Sequence, residues 1–193
     1  MKSPNVNILE TEILSDNWYT LKKLTYEYQD KNSTKAVHIR EAYDRGNGAA
    51  ILLYNKDQGT VILTRQFRLP TFINGNDTGM LIEVCAGLLD KDNPEDCIKK
   101  ETEEETGYRI SKVQKVFESY MSPGSVTEIL YFFVAEYNSD MKVSEGGGLA
   151  EEQENIEVLE LEFKKAFEMI STGEIKDGKT IMLLQHAWIH GLV

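Results

Sequence analysis

Residues 8–14, 18–29 and 36–44 alternate apolar with polar positions and are rich in aromatic and β-branched side chains, the period of half-buried strands. WYTLKKLTYEY and VHIREAY flank the polar turn DKNST, so the chain is expected to open with an antiparallel β arm. GNGAAILLYN and TVILTRQF are apolar almost throughout and are joined by KDQG, which predicts a central, buried hairpin with a glycine-containing turn. MLIEVCAG, after the polar loop INGNDTG, predicts one more buried strand.

The period changes at residues 94–106, PEDCIKKETEEET. Pro94 suits a first helical turn, Glu95 and Asp96 suit the positive end of the helix dipole, and Gly107 suits a C-terminal cap, so a helix is predicted. Strands are expected at 112–120 and 126–137, joined by MSPGS. A Gly-rich, acidic loop follows from 138 to 155, too long to be mere connection in a compact domain. IEVLELEF predicts a short strand, FKKAFEMISTG places apolar residues at 163, 166, 167 and 170 on a helical face, and TIMLLQHAWIH predicts a last helix. This order predicts a mixed α/β or α+β sandwich, not a parallel doubly wound sheet.

With 193 residues, 41% of them hydrophobic, the chain is long enough for one ordinary domain with a small appendage, read as an arm at 1–45 and a domain at 46–193. The net charge of −11 excludes sequence-independent nucleic-acid binding as a first choice, and an anionic ligand would need a divalent metal and placed arginines to offset repulsion. Cys85 and Cys97 make no disulfide framework, and His186 and His190, four apart, have no evident third metal ligand. The N-terminus has no apolar signal-peptide core and no run reaches membrane-spanning length, so a reduced, cytoplasmic protein without membrane contact is expected.

The predicted helix carries the chemistry. Glu101 and Glu105 share one face, with Glu104 three residues from Glu101. A Glu-rich helix is ordinarily a solvated face, and Lys100–Glu104 is an ordinary surface pair. Here, however, the acidic run at 103–105 is locally repulsive and follows closely on a buried strand, and clustered carboxylates are what a hard divalent ion requires.

GLLDKDNPEDCIKKETEEETGY, residues 87–108, resembles the Nudix box: G, five residues, E, seven residues, REU, one residue, EE, one residue, G, U, with U aliphatic. The spacing after Gly87 is one residue short, Lys100 stands where Arg is usual, Thr102 where an aliphatic residue is usual, and Asn93 near the first Glu position. ILSDNWYTL, REAYDRGNGAAILLYN, RQFR, IEVCAGLLD, YMSPGSVTE, the GGG stretch and TGEIKDGKT extend the resemblance from about Ile13 to Leu184, to the bacterial GDP-mannose pyrophosphatase subgroup of the Nudix superfamily. The shortened box and the lysine are features of that subgroup.

The resemblance implies a Nudix α/β/α sandwich with a mixed sheet, and a homodimer in which the arm packs on or swaps onto the partner. It implies Mg²⁺ held by the Ala86 carbonyl, Glu101, Glu105 and a loop carboxylate. Counting back from IEVLEL makes the last of these Glu154, with Glu151 and Glu152 as alternatives. Trp18, Arg40, Glu41, Arg68, Gly87, Glu128 and Lys179 resemble positions that contact the nucleotide sugar. Glu154 and, second, Glu128 are base candidates, and Glu105 belongs to the catalytic set. Such a site would hydrolyse the diphosphate bridge of a nucleotide sugar, with GDP-mannose yielding GMP and mannose 1-phosphate. Carboxylates hold the ion, the ion lowers the pKa of bound water, and arginines grip phosphate oxygens. The alternatives are ADP-ribose or another nucleoside diphosphate derivative as substrate, a non-catalytic nucleotide sensor, and a Ca²⁺-storage role.

One competing motif is GEIKDGKT, residues 173–180, which fits the P-loop pattern. An apparent helix precedes it, not a strand, and thirteen residues follow Thr180, so a connection between two helices is the better reading. Bland readings exist for other residues: Cys85 and Cys97 as small buried side chains, Trp18 and Trp188 as packing anchors, Arg40 and Arg68 as partners in structural ion pairs.

Overall fold

The computed structural model describes residues 5–30, 32–89 and 91–193; the side chain of Glu152 also lies outside what is described. The chain divides into two compact units, one of residues 1–47 with 120–129, the other of 48–119 with 130–193.

The first unit is a three-stranded antiparallel sheet, β1 (Asn5–Asp16), β2 (Thr20–Gln29) and β3 (Lys35–Asp44), with β2 central. Segment 120–129 belongs to this unit. The Tyr43 N–H donates to the Ser125 carbonyl at 2.7 Å, and the Thr127 N–H donates to the Tyr43 carbonyl at 3.1 Å. These bonds explain a difference from expectation. The strand predicted from 126 begins at Ile129, because Val126 bridges to Tyr43 and Thr127 gives its N–H to the Tyr43 carbonyl at the end of β3 instead.

The second unit is built on a mixed sheet, β4 (Gly48–Asn55), β5 (Thr60–Phe67), β6 (Met80–Glu83), β7 (Cys85–Leu88), β8 (Gln114–Tyr120), β9 (Ile129–Glu136) and β10 (Glu157–Glu162). The hairpin turn forms as expected, with the Asn55 side chain accepting from the Asp57 and Gln58 N–H groups and Gly59 at φ +68°. β4 and β5 pair only near that turn, through Leu53–Asn55 and Thr60–Ile62, and then part. β7 fills the gap against the first half of β4, and β6 fills it against the second half of β5. MLIEVCAG is therefore two strands and not one. At the break, the Val84 N–H donates to the Thr180 hydroxyl at 2.8 Å in place of a ladder partner. β4 pairs parallel to β9, and β10 closes the other edge antiparallel to β5.

Helices cover both faces. α2 (Pro94–Thr106) packs on β4, β5 and β7, where Ile98 joins Ala49, Ile51, Leu53 and Phe133 in one apolar cluster. Complete burial of a side chain like Ile98 contributes about 2 kcal/mol. The intervening β4 residues Ala50 and Leu52 point the other way and are equally buried. α4 (Gly178–His190) packs on β4, and α3 (Phe163–Thr172) packs on β5, β10 and α4. The expected α/β/α sandwich with a mixed sheet and an antiparallel arm is the architecture found. A one-turn helix, α1 (Leu69–Ile73), went unpredicted, as did two 3-10 turns inside the loop expected at 138–155.

Punctuation of α2 follows the sequence closely. Asn93 caps it, its side chain accepting from the N–H groups of Glu95 and Asp96, and Gly107 ends it at φ +78°. The Asn93 departure from the box is thus a helix cap. Thr102 is fully buried and turns its hydroxyl back to the Ile98 carbonyl, which lets it occupy an apolar position.

Candidate active site

The acidic run at 103–105 spreads in three directions. Glu103 receives both arms of Arg109 at 2.7 and 2.8 Å, and Glu104 pairs with Lys100 at 3.4 Å. Protein cations therefore offset part of the repulsion within the acidic run. Glu105 alone turns inward, 2% exposed, where one carboxylate oxygen accepts from the Ala86 N–H at 3.3 Å. Burial pushes its carboxyl up to about pKa 8, against the Cys85 thiol, which hydrogen-bonds it, and with further upward pressure from the charges of Glu101 and Glu154.

Two glycines make room for those neighbours. A Cβ on Gly87 would lie 2.2 Å from the Glu101 carboxyl carbon, so the box glycine is the space in which Glu101 sits against β7. A Cβ on Gly148 would lie 2.4 Å from a Glu154 carboxylate oxygen, which accepts from the Leu149 N–H at 3.0 Å. The Gly-rich loop is itself docked on the end of α2: the Gly147 N–H donates to the Glu105 carbonyl at 2.9 Å and the Gly148 N–H to the Glu104 carbonyl at 3.1 Å. In this way the last carbonyls of α2 are satisfied, and the loop brings Glu154 to within electrostatic reach of Glu105. Glu151 is exposed, and the Glu152 side chain lies outside the described residues.

The Ala86 carbonyl, Glu101, Glu105 and Glu154 are hard oxygen donors, the set that suits Mg²⁺. Burial is the main cause of the raised Glu105 pKa, the charges of Glu101 and Glu154 add to it and that of Arg68 offsets part of it, and a divalent cation would relieve the remaining repulsion. Among the described residues, no three acidic, histidine or cysteine side chains already close on one point as metal ligands. The His186 and His190 rings lie 4.3 Å apart, tilted by 39°.

Arg68 and Lys179, both expected as substrate contacts, converge on Glu83, which the sequence reading missed. Arg68 Nε donates to one Glu83 oxygen at 2.7 Å and Lys179 Nζ donates to the other. Lys179 also reaches Asp177 at 2.8 Å. Burial opposes the charge on Lys179, but the carboxylates of Glu83 and Asp177 outweigh it and raise its pKa. The GEIKDGKT segment is the helix connection expected: Gly173 ends α3 at φ +80°, and Asp177 caps α4 by accepting from the Thr180 N–H at 2.9 Å. No strand leads into it, so it is not a P-loop.

Trp18, Arg40, Glu41 and Glu128 lie in the first unit. Trp18 is 83% exposed at the β1–β2 turn and meets Tyr19 edge-on at 6.4 Å, so it is no packing anchor within its own chain. Arg45 stands 5.4 Å over the Tyr19 ring and holds Glu128 at 3.5 Å, linking the turn to the 120–129 segment. Arg40 and Glu41 are exposed neighbours on β3, opposite Leu24 and Lys23, and Arg40 donates to the Ile39 carbonyl. Trp188 does pack, stacked on Phe167 at 4.9 Å, and both cysteines are buried free thiols.

Comparison with known proteins agrees over nearly the whole length. Residues 5–43 match the family model described as the GDP-mannose pyrophosphatase NudK N-terminal domain, and residues 44–181 match the NUDIX domain. The GDP-mannose pyrophosphatase of Yersinia enterocolitica is 58% identical over 191 residues, covering 99% of each chain. That of Yersinia pestis is 57% identical over 188 residues, 97% of this chain and 94% of its own. That of Pectobacterium atrosepticum is 57% identical over 191 residues, 99% of this chain and 97% of its own. With a box glycine that seats Glu101, a buried Glu105 and a glycine loop docked on the same helix, the chain belongs to the Nudix family of hydrolases.

Proposed function

We propose that this Nudix hydrolase cleaves the diphosphate bridge of GDP-mannose with Mg²⁺, releasing GMP and mannose 1-phosphate. The observation that carries the reading is the buried Glu105 on the same helix as Glu101, which sits in the space left by Gly87, with Glu154 held in the space left by Gly148. The curated relatives, matched over nearly their full lengths, support the choice of substrate.

In this mechanism Glu101, Glu105, Glu154 and the Ala86 carbonyl hold the ion. When bound, Mg²⁺ neutralises phosphate oxygens and lowers the pKa of a bound water. Arg68 and Lys179 offer positive charge to the diphosphate, Arg68 with a fork that suits phosphate oxygens. Where it does not ligate the ion, Glu154 takes the proton of the attacking water, in preference to Glu128, which Arg45 already engages. Trp18 offers an exposed face for the base, and Arg40, Glu41, Gly87 and Glu128 complete the contacts to the nucleotide sugar.

Two further readings belong to the proposal. Ile8, Leu9, Ile13, Val37 and Ile39 are 51–61% exposed on the arm sheet, which supports a homodimer joined through the arm. Buried free thiols support a reducing, cytoplasmic setting; no helix among the described residues is long and apolar enough to cross a membrane.

The test is a panel of GDP-mannose, GDP-glucose, ADP-ribose, UDP-glucose and simple triphosphates with Mg²⁺, products separated by chromatography. GMP appearing fastest from GDP-mannose supports the reading. Faster cleavage of ADP-ribose would replace the substrate and keep the chemistry, and no hydrolysis by folded, metal-bound protein would leave a nucleotide sensor.

A further inference from the structure

Glu83 is 2% exposed, yet nothing in the proposed chemistry uses it. A lone carboxylate in that position would be costly; here each oxygen is taken by a different cation, Arg68 Nε on one and Lys179 Nζ on the other. The cations come from opposite ends of the unit, Arg68 from just beyond β5 and Lys179 from the first turn of α4. Glu83 itself stands at the end of β6, where its carbonyl accepts from the Thr64 hydroxyl at 3.2 Å. The next residue, Val84, is bonded to Thr180 of α4. Both the backbone and the side chain at this point thus tie the splayed sheet to α4.

We propose that Glu83 is a positioning residue that presents Arg68 and Lys179 together to the diphosphate of the substrate. The proposal rests on the reading of Arg68 and Lys179 as diphosphate contacts. Arg68 spends its Nε on Glu83 and its side chain remains 40% exposed, so the end of the guanidinium is directed outward by the bond at its elbow. An ammonium has three N–H donors, and Lys179 gives one to Glu83 and one to Asp177. Without Glu83, two like charges would have to sit close together before any phosphate arrived. With it, both are fixed in advance and bind an anion at little cost in side-chain ordering.

Glu83→Gln tests this. The amide keeps one acceptor but puts an NH₂ group against the other cation. The expected result is a fall in kcat/KM for GDP-mannose of about 10- to 100-fold. GDP-mannose binding in EDTA, read by calorimetry where no turnover occurs, should weaken by about tenfold. Glu83→Asp, with the charge kept and the reach shortened, should fall between, and thermal melts establish that each variant is folded. In an Arg68→Ala/Lys179→Ala background the added Glu83→Gln change should cost less than about twofold, since its partners are gone. A full, additive loss in that background would overturn the proposal, as would unchanged binding and kcat/KM in folded Glu83→Gln. If the wild type ignores GDP-mannose, the substrate reading falls, and the same cycle on the nucleotide it does hydrolyse decides the role of Glu83 by the same criteria.

Discussion

The acidic cradle at the end of α2 and the N-terminal arm hold their candidate residues in opposite ways. In the cradle, every carboxylate is placed by its own chain: Glu105 is 2% exposed, Gly87 opens the space for Glu101, and Gly148 opens the space for Glu154. On the arm, Trp18 is 83% exposed, and Arg40 and Glu41 are exposed neighbours on β3. The residues proposed to hold an ion are preorganised at a cost in buried charge, and the arm residues proposed to meet the nucleotide sugar are left open for it. The contrast makes distinct predictions for the two regions.

The largest effect belongs to Glu105. Replacing it with Gln should lower kcat for GDP-mannose by about 10²- to 10³-fold, the cost of losing a group that stabilises transition-state charge. The metal-free protein should melt no lower than wild type, because the amide fills the same buried space without the charge. Steady-state kinetics and a melt in EDTA check both; near-wild-type turnover would remove Glu105 from the metal set.

Gly87→Ala should come next, with a loss of about 10²-fold, because its Cβ would lie 2.2 Å from the Glu101 carboxyl carbon and displace that carboxylate. The arm-side counterpart is Gly124→Ala, where nothing lies within 4 Å of the added Cβ and activity should hold. Equal losses at the two sites would mean that Glu101 placement is not what Gly87 secures.

What the sequence could show follows the same division between local and distant causes. α2 was legible because Pro94, Glu95 and Asp96 mark its start and Gly107 its end, all signals local to the segment, whereas the cap at Asn93 shows only in the fold. The split of MLIEVCAG was not, because the partner that replaces the ladder bond of Val84 is Thr180, 96 residues away. Glu83 was invisible for the same reason. One Glu in an apolar strand reads as an ordinary outward position, and only the fold brings Arg68 and Lys179 to it from 15 and 96 residues away. Residues 126–128 read as a strand start because nothing local shows that the Thr127 N–H is claimed by Tyr43. The choice of Glu154 in the loop came from resemblance, and Gly148 leaves the space that its side chain occupies.

Trp18→Ala should raise KM for GDP-mannose by about tenfold, the loss of one aromatic–base stack, with little change in kcat. Its exposure predicts an unchanged melting temperature. A lower melting temperature with an unchanged KM would instead assign Trp18 to an interface, and light scattering would then show a weakened dimer.

The smallest effect separates the two regions by the sign of their pH dependence. Burial raises Glu105 from its ordinary 4.5 to about 8, so in metal-free protein the folded state holds a proton that the unfolded chain has released between those values. Its contribution is therefore full below 4.5 and is lost as pH rises toward 8. Asp44 of the arm is the reverse. The hydrogen bond from Lys22, helped by the Gly46 N–H, lowers its pKa below 3.8, so its contribution is present above that value and lost as pH falls further. In EDTA, the melting temperature should drop by on the order of a few °C between pH 5 and 8, and Glu105→Gln should flatten that slope. Asp44→Asn should leave it intact and act only at acid pH. Hydrogen exchange resolved by segment would then show the α2 end loosening at high pH and the β3 end at low pH. If α2 protection held constant from pH 5 to 8 without metal, the buried carboxylate would not be under the strain that its surroundings imply.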